Sequence, residues 1–335
     1  MKKKPRYYVG VDVGGTKIQA TLAEESGKII GRSRASTPRT GKPDDTIMAI
    51  IKLIRGVLCE NELAAGDVRA IGVAVPGVVD PDRGRVMLTP NTNLSHTAIT
   101  PKIARAFRVP VCRGNDANCG ILGEAWLGAA RGARNAVGIF IGTGIGGGII
   151  INGQLIRGCR EGAGEIGHMI VVPDGPRCGC GLHGCLETVA GRLGIEREVR
   201  QAVKKGQKTI LTKLTGDLSV IRSSLIRKAL KKKDKLVTAV MDQAVKHLGA
   251  ACISLRHLLD PELIVLGGGL VEACEQWILP PVRKAVKAGT MPGVGNAGKI
   301  VAAALGDDAT AMGAIVLAQQ LVGKKPLKET GAGKA

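Results

Sequence analysis

Three cysteines stand within eight residues of the sequence, and a histidine lies ten positions before the first of them. Residues 177–188 read RCGCGLHGCLET and contain Cys178, Cys180 and Cys185, while His168 lies upstream in EGAGEIGHMIV. Three thiols and one imidazole form a Cys₃His set, the kind of ligand set that closes a tetrahedral zinc site. The sequence therefore predicts a structural Zn²⁺ that fixes a loop with almost no apolar side chains.

Two other interpretations of this stretch stay open. His183 lies between the cysteines and competes with His168 as the fourth ligand, and the thiols could also be reduced cysteines in a glycine-rich turn. We favour His168 because Glu165 precedes it by three residues, a spacing that puts both side chains on one face of a helix. Such a metal site would hold two acidic residues, Glu165 and Glu187, at fixed positions.

The segment DVGGTK has the composition of a phosphate-binding turn. It places Asp12 two residues before Gly14 and Gly15, which are followed by Thr16 and Lys17. Glycines allow backbone amides to approach phosphate oxygens, and a carboxylate can hold Mg²⁺ through water. The order Thr-Lys and the strand pattern that follows exclude a Walker loop. A tight hairpin without a ligand is the alternative for this segment.

Two further glycine turns lie in the second half of the chain. GTGIGGG satisfies the GxGxxG pattern, but a strand pattern follows it instead of the helix that a dinucleotide fingerprint needs. We therefore expect a second phosphate-binding hairpin with Thr143 and Gly144 at its tip. The third turn, Gly267, Gly268 and Gly269, follows a buried strand and could place bare backbone against an adenine or ribose.

The tripeptide GND places a carboxylate, Asp116, at the end of a predicted strand, with the Asn115 amide beside it. A carboxylate at such a position can act as a proton acceptor. The alternative is that Asp116 is the N-cap of the helix that follows.

Strand and helix patterns alternate along the chain, which predicts an α/β protein with two related lobes. Strands are predicted at residues 7–13, 17–22, 28–33, 70–75, 109–112, 263–266 and 299–304, with a strand pair over 138–151. The most regular helix has Ile47, Ile50, Ile51, Ile54 and Leu58 at helical spacing and is expected to begin at an Asp44 or Asp45 cap. Further helices are predicted at 101–107, 117–130 and 309–321.

Composition indicates the size of the domains and the cellular compartment of the protein. The chain has 335 residues, 44% of them hydrophobic, enough for one large domain or two lobes. Its nine cysteines, six of them scattered singly, suit the reducing cytosol. No export signal is evident, and the most apolar tract, residues 136–151, is too short and too rich in glycine to cross a bilayer. The net charge of +20 comes largely from lysine clusters without interleaved aromatics, which favours a solvated surface over a specific nucleic-acid site.

These motifs together resemble the ROK family of sugar kinases and sugar-responsive repressors. The resemblance runs from VGVDVGGTKIQATL through GVAVPGVVD, GNDANCGILGEAWLGAARG, FIGTGIGGGIIINGQLIRG, GAGEIGHMIV and CGCGLHGCLE to LIVLGGGL and LGDDATAMGA. It implies an actin-like (ribonuclease H-like) fold with two lobes that close around a sugar and ATP. The predicted lobes are residues 1–115 with the helix 309–322, and residues 116–308 with the metal loop; residues 323–335 form a basic tail.

The resemblance also implies which residues bind ligands. Zinc would be held by His168, Cys178, Cys180 and Cys185, and phosphates by the first two glycine turns. The sugar contacts of the family fall on Gly77, Asn115, Asp116, Glu165, His168 and Glu187. Family members are usually homodimers or homotetramers. One departure is His96, which stands where such kinases commonly have an aromatic residue and puts the lobe-closure contact in doubt.

The resemblance implies an ATP-dependent kinase that phosphorylates the 6-hydroxyl of glucose. A sugar hydroxyl is a poor nucleophile at neutral pH, so Asp116 would accept its proton as the general base, with the Asn115 amide orienting the substrate. Fructose, mannose, N-acetylmannosamine and N-acetylglucosamine remain alternative substrates, and inorganic polyphosphate an alternative phosphoryl donor. A repressor is less expected because only 11 residues precede Asp12, too few for a helix-turn-helix module. A non-catalytic sugar sensor would not need Asp116 and two phosphate turns.

Overall fold

The predicted alternation of strands and helices is present in the computed structural model, which describes residues 6–80, 85–88, 94–292 and 298–327. The strands are β1 (Tyr7–Val13), β2 (Lys17–Glu24), β3 (Ile29–Ser36), β4 (Val68–Val75), β5 (Val78–Asp80), β6 (Arg85–Leu88), β7 (Val111–Asn115), β8 (Ala136–Ile141), β9 (Ile145–Ile151), β10 (Gln154–Leu155), β11 (Leu263–Gly267) and β12 (Lys299–Ala302). The helices are α1 (Pro43–Cys59), α2 (Ile99–Phe107), α3 (Asp116–Leu127), α4 (Leu186–Ala190), α5 (Arg192–Lys204), α6 (Leu211–Thr215), α7 (Ser223–Lys231), α8 (Lys235–Leu259), α9 (Gly269–Gly289) and α10 (Ala309–Leu321).

The chain divides into two compact units. The first unit comprises residues 1–134, 148–164 and 307–335, and the second comprises residues 135–147 and 165–306. Each unit is defined by the contacts among its own residues, and α3 belongs to the first unit. The functional lobes at 1–115 with 309–322 and at 116–308 remain a prediction.

The first sheet has the order β3-β2-β1-β4-β7. β1, β2 and β3 pair antiparallel, while β4 pairs in parallel with both β1 and β7. Because side chains alternate along a strand, Val9, Val11 and Val13 all point to one face, where they meet the apolar stripes of α1 and α2. This face forms the main core of the first unit.

Two paired glycines allow α10 to lie directly on the other face of this sheet. Gly10 and Gly72 are opposite each other in the β1–β4 register. A Cβ at Gly10 would lie 2.0 Å from the Ala311 carbonyl oxygen, and one at Gly72 would lie 1.9 Å from that of Ala314. The backbone of α10 therefore occupies the space that side chains would fill, and no other residue type fits at either strand position without moving the helix.

The second sheet has the order β10-β9-β8-β11-β12. β11 pairs in parallel with β8 on one side and β12 on the other. In the second unit α8 and α9 pack together, and α9 bends at Cys274, where the backbone leaves helical geometry. Pro280 and Pro281 follow within the same helix.

Two sequence expectations about element ends are wrong. α1 has Lys42 as its N-cap and Pro43 as its first residue, so Asp44 and Asp45 lie inside the first turn instead of capping it. Proline is preorganised for that first position, and acidic side chains there interact well with the helix dipole. β7 begins at Val111 and continues to Asn115, since its parallel pairing with β4 extends over that whole range.

The nine cysteines are all free thiols. This agrees with the interpretation of the scattered cysteines as unpaired residues. Among the helices of the described residues, none combines the length and the apolar character that a membrane span requires.

The close approach of α10 predicts that Gly72→Ala destabilises the first unit. The new methyl group would meet backbone atoms of Ala314, which cannot rotate away, so the helix must shift at a cost of about 3 kcal/mol or more. Urea unfolding followed by circular dichroism measures the change. Gly66→Ala is the matched control, because no atom lies within 4 Å of a Cβ built there. Equal unfolding midpoints for the two variants would contradict this packing argument.

Candidate active site and metal centre

The structure brings His168, Cys178, Cys180 and Cys185 together in the second unit. One ligand atom from each residue lies within 4.8 Å of all the others. The Cys180 and Cys185 sulfurs are 3.7 Å apart, and His168 Nδ1 is 3.6 Å from Cys178 Sγ. Around a tetrahedral ion with metal–sulfur bonds of about 2.3 Å and a metal–nitrogen bond of about 2.0 Å, these separations would be about 3.8 and 3.5 Å. Both the donor set and the spacing fit zinc.

The competing ligand His183 lies outside this cluster. Its Nδ1 is 3.1 Å from the Gly175 carbonyl oxygen, at the bridge between Arg177 and His183. The loop is closed by backbone bonds, with the Cys178 amide donating to Leu182 at 2.7 Å. The geometry therefore selects His168 over His183 as the nitrogen donor.

Two carboxylates lie beside the cluster. Glu165 Oε2 is 3.9 Å from His168 Nε2, and Glu187 Oε1 is 3.7 Å from His168 Nδ1. The Cys178 thiol also donates to Glu187 Oε1 at 3.0 Å. Burial raises the pKa of Glu165, and the negative charge of Glu187 adds to the increase, whereas His168 opposes it. This arrangement gives the centre two hydrogen-bond acceptors at its edge.

The expected helical turn containing Glu165 and His168 is shorter than predicted. Ile166–His168 is a single 3₁₀ turn, and Glu165 lies just before it. The side chains still meet, because a 3₁₀ turn also brings residues three apart to the same side. The structure therefore confirms that Glu165 and His168 share one helical face.

The second glycine turn packs against Glu187. The Gly142 amide donates to the Gly144 carbonyl at 2.9 Å, which leaves Thr143 and Gly144 at the tip, as predicted. A Cβ on Gly144 would lie 2.3 Å from Glu187 Oε2, so glycine is required here by the close approach of this neighbour. Arg192 Nη2 contacts Thr143 Oγ1 at 3.1 Å. Sequence reasoning did not identify Arg192.

The third glycine turn joins β11 to α9. Gly268 has φ +87° and is the N-cap of α9, and a Cβ there would lie 2.7 Å from the Ile141 carbonyl oxygen. Gly267 is packed against Phe140, whereas a Cβ on Gly269 would meet nothing within 4 Å. All three glycines of this turn were predicted to bind the nucleotide. Gly267 and Gly268 are closely packed, whereas Gly269 has open space beside it.

The first glycine turn lies in the first unit, between β1 and β2. The Gly14 amide donates to the Lys17 carbonyl at 2.9 Å, and Thr16 is exposed at the turn with Gly15 beside it. Lys17 Nζ forms an ion pair with Asp307 Oδ2 at 2.6 Å. The predicted phosphate-binding ammonium is thus held by an acid at the start of α10, a residue to which the sequence interpretation gave no role.

Asp12 lies on β1 just before this turn. Burial raises its pKa to about 7; the negative charge of Asp116 adds to the increase, and Lys17 opposes it. Asp12 lies on β1 and Asp116 directly follows β7, with β4 between these parallel strands, so both residues lie at the same end of the first sheet. Carboxylates at one end of a sheet are suited to bind a divalent cation.

Asn115 holds the predicted base in position. Its Oδ1 accepts the Asn118 amide at 3.0 Å as the N-cap of α3, and its Nδ2 donates to the Gly77 carbonyl at 3.2 Å. The alternative that Asp116 is the N-cap is therefore wrong. Asp116 is the first helical residue, with Oδ1 accepting the Ala117 amide at 2.8 Å. Gly77, at φ +89°, Asn115 and Asp116 are brought together as one group.

The structure thus gathers the predicted residues into two groups, one in each unit. Asp12, the first glycine turn, Gly77, Asn115 and Asp116 lie in the first unit. The metal cluster, Glu165, Glu187 and the other two glycine turns lie in the second. His96 is exposed, with a left-handed φ of 60°, while residues 91–93 of the same segment lie outside the described part of the chain.

Comparison with known proteins finds similarity over nearly the whole chain. The family model described as "ROK family" matches residues 8–321. A glucokinase of Thermotoga maritima is 34% identical over 317 residues, covering 94% of this chain and 98% of that protein. A xylose repressor of Bacillus spizizenii is 29% identical over 311 residues, covering 93% of this chain and 76% of the repressor.

A solved structure is similar over almost the same range. The ROK family glucokinase from Streptomyces griseus, crystallised with glucose and AMPPNP, superposes with a TM-score of 0.81 at 32% identity, covering 95% of this chain and 100% of that one. This match confirms the α/β, actin-like sugar-kinase fold that the sequence predicted. With a family match from residue 8 to residue 321, the chain belongs to the ROK family.

Proposed function

We propose that this chain is an ATP-dependent glucokinase, which transfers the γ-phosphoryl group of ATP to the 6-hydroxyl of glucose. The carrying observation is the group formed by Gly77, Asn115 and Asp116, which presents a carboxylate at the end of β7 in a chain that matches glucokinases over 94% of its length. The sugar-kinase fold and the first two glycine turns agree with this activity.

Asp116 is the proposed general base. Its Oδ1 is held by the Ala117 amide, so the carboxylate has a fixed orientation with Oδ2 as the second acceptor. As the 6-oxygen attacks the γ-phosphorus, its proton passes to Asp116 and the bond to the β-phosphate oxygen breaks, giving ADP and the sugar 6-phosphate. Asn115 keeps the base at the N-terminus of α3, where the helix dipole favours the carboxylate.

The nucleotide is assigned to the glycine turns. Backbone amides at Gly15 and Gly144, with the hydroxyls of Thr16 and Thr143, would bind the phosphate oxygens. The predicted contribution of the Gly14 amide is corrected, because that amide already donates to the Lys17 carbonyl. Lys17 would add a positive charge near the phosphates. Gly269, which has open space beside it, would place bare backbone against the adenine or ribose at the third turn. Mg²⁺, which arrives with ATP, would neutralise part of the phosphate charge, and Asp12 is the carboxylate placed to hold it.

Each unit has its own proposed sugar contacts. Asn115, Asp116 and the backbone of Gly77 would contact the sugar from the first unit, and Glu165, His168 and Glu187 from the second. Zn²⁺ held by the Cys₃His cluster would serve as a structural ion that keeps His168 and the two carboxylates in place.

The first experiment must distinguish glucose and ATP from alternative sugars and from an alternative phosphoryl donor. Fructose, mannose, N-acetylmannosamine and N-acetylglucosamine share the 6-hydroxyl chemistry, and polyphosphate shares the transferable phosphoryl group. The family also contains repressors, so DNA binding is the competing activity. We further propose that the chain forms a homodimer or homotetramer in the cytosol, where the cysteines outside the cluster stay reduced.

A coupled assay of these five sugars against ATP and polyphosphate tests the function. We expect the highest kcat/KM for glucose with ATP. Preference for another hexose would correct the substrate, and no sugar-dependent turnover with any pair would refute the kinase. A gel shift with random DNA over a salt series would then test the repressor activity.

In the same assay, Asp116→Asn should lower kcat by about 10²- to 10⁴-fold, because an amide cannot accept the hydroxyl proton. The amide oxygen can still accept the Ala117 amide, so glucose affinity measured by calorimetry should stay within about twofold. Asp217→Asn, at an exposed surface acid, is the control. An Asp116→Asn enzyme with wild-type kcat would remove Asp116 from the base role.

The pKa of Asp12, raised to about 7, predicts a pH-dependent stability cost. This carboxyl ionises at about pH 4 in the unfolded chain but at about pH 7 in the folded protein. The folded state therefore loses stability as the pH rises from about 4 to 7. Metal-free Asp12→Asn should therefore be more stable than the wild type at about pH 8 and equal to it near pH 4. Urea unfolding at both pH values measures this, and a difference independent of pH would contradict it. The same variant should lose turnover, because it cannot hold Mg²⁺ equally well.

Removal of the metal should impair folding and sugar binding together. We expect about one zinc per chain by elemental analysis, and its loss in Cys180→Ala, with a lower melting temperature and weaker glucose binding. Cys159→Ala is the matched control, since Cys159 is exposed and lies outside the cluster. Wild-type protein that lacks zinc yet binds glucose with unchanged affinity would refute this role of the cluster.

A further inference from the structure

The first residue of α5 contacts the second glycine turn through its backbone and its side chain. The Arg192 amide donates to the Gly142 carbonyl, and the Leu193 amide to the Thr143 carbonyl, both at 3.1 Å. The Arg192 guanidinium then contacts the Thr143 hydroxyl, with Nη2 to Oγ1 at 3.1 Å. The tip of the turn is therefore fixed to the start of a 13-residue helix.

A buried carboxylate fixes the guanidinium. Arg192 Nη1 donates to Glu196 Oε1, and the Glu196 side chain is only 2% exposed. Arg200 Nη1 donates to the other oxygen of Glu196 at 3.3 Å. Two guanidinium groups thus share one carboxylate, which fixes the position of Arg192 beside the turn. The Arg192 side chain is only 18% exposed, so it is held close to Thr143 with little freedom to move away.

The contact sets the direction of the Thr143 hydroxyl. A hydroxyl has one proton to donate and two lone pairs that accept, whereas a guanidinium only donates. Thr143 Oγ1 must therefore accept from Arg192, and its single proton is directed to another acceptor. A positively charged donor also withdraws electron density from the oxygen, which makes the hydroxyl a stronger donor in turn.

We propose that Arg192 is a positioning residue for phosphoryl transfer. By accepting from Arg192, Thr143 presents its hydroxyl proton to an oxygen of the terminal phosphates of the nucleotide. Arg192 acts through Thr143 and does not itself touch the substrate. The proposal rests on the proposed function, because it needs a nucleotide at the second glycine turn.

A double-mutant cycle tests whether Arg192 acts through that hydroxyl. We expect Arg192→Met and Thr143→Val each to lower kcat/KM for ATP by about 10-fold, the cost of a hydrogen bond near a charge. The double variant should be no worse than Thr143→Val alone, because Arg192 cannot act on the phosphate once the hydroxyl is gone. Multiplying effects in the double variant would overturn the proposal. Glucose affinity should stay within about twofold of wild type throughout.

A second pair of variants keeps the test valid if Arg192→Met folds poorly. Arg192→Lys should retain most of the activity, since an ammonium can only donate to Thr143. Arg192→Gln should lose about as much as Arg192→Met, because its amide oxygen can accept the hydroxyl proton and turn it away from the phosphate. Equal activity of the Lys and Gln variants, at equal melting temperatures, would refute the orientation argument.

Arg200→Met is the matched control. Arg200 also pairs with Glu196, but its other contacts are the Leu218 and Ser219 carbonyls instead of the glycine turn. We expect unchanged kcat/KM for ATP, and a loss equal to that of Arg192→Met would assign the effect to Glu196 alone. Wild-type protein without ATP-dependent turnover would refute the proposed function itself, whereas active wild type with multiplying effects would refute only the role of Arg192.

Discussion

The carboxylate of Glu187 links the metal cluster to the second glycine turn. It lies 3.0 Å from Cys178 Sγ and 3.7 Å from His168 Nδ1, and its other oxygen occupies the space that a Cβ on Gly144 would need. Glu187 is also the second residue of α4, so any shift of the cysteine loop moves the helix that leads into Arg192. The proposed sugar contacts and a proposed phosphate contact of the second unit therefore form one connected network.

Backbone packing has the corresponding role in the first unit. Because Gly10 and Gly72 carry no side chains, α10 lies directly on the sheet and its start reaches β2 and β3. Asp307 then pairs with Lys17, and Asp308 accepts from Gln19 at 3.0 Å and from Arg32 at 2.7 Å. The first glycine turn is thus fixed to a helix almost 300 residues later in the chain.

Sequence reasoning succeeded where the informative residues are close together. The spacing of three cysteines and the histidine before them predicted the cluster, and glycines between apolar runs predicted the three turns. It failed where a contact joins distant segments or where two residues compete for one position. Thr143 and Arg192 are 49 residues apart, and no local pattern indicates their contact. Asn115 and Asp116 are both good N-caps, and only the length of β7, set by its pairing with β4, decides between them.

The charges of the first unit explain why ionised Asp12 lowers the stability of the folded protein and why it is still suited to bind a divalent cation. Asp307 holds the Lys17 ammonium at 2.6 Å, so that cation is shared and does not fully neutralise Asp12. The Asp12 side chain is half-buried, and its burial together with the negative charge of Asp116 raises its pKa to about 7. The cost of ionising it is reduced when a divalent cation binds between phosphate oxygens and a carboxylate. The folded protein alone is thus less stable than its packing would allow, and binding of the metal–nucleotide complex would recover part of that stability.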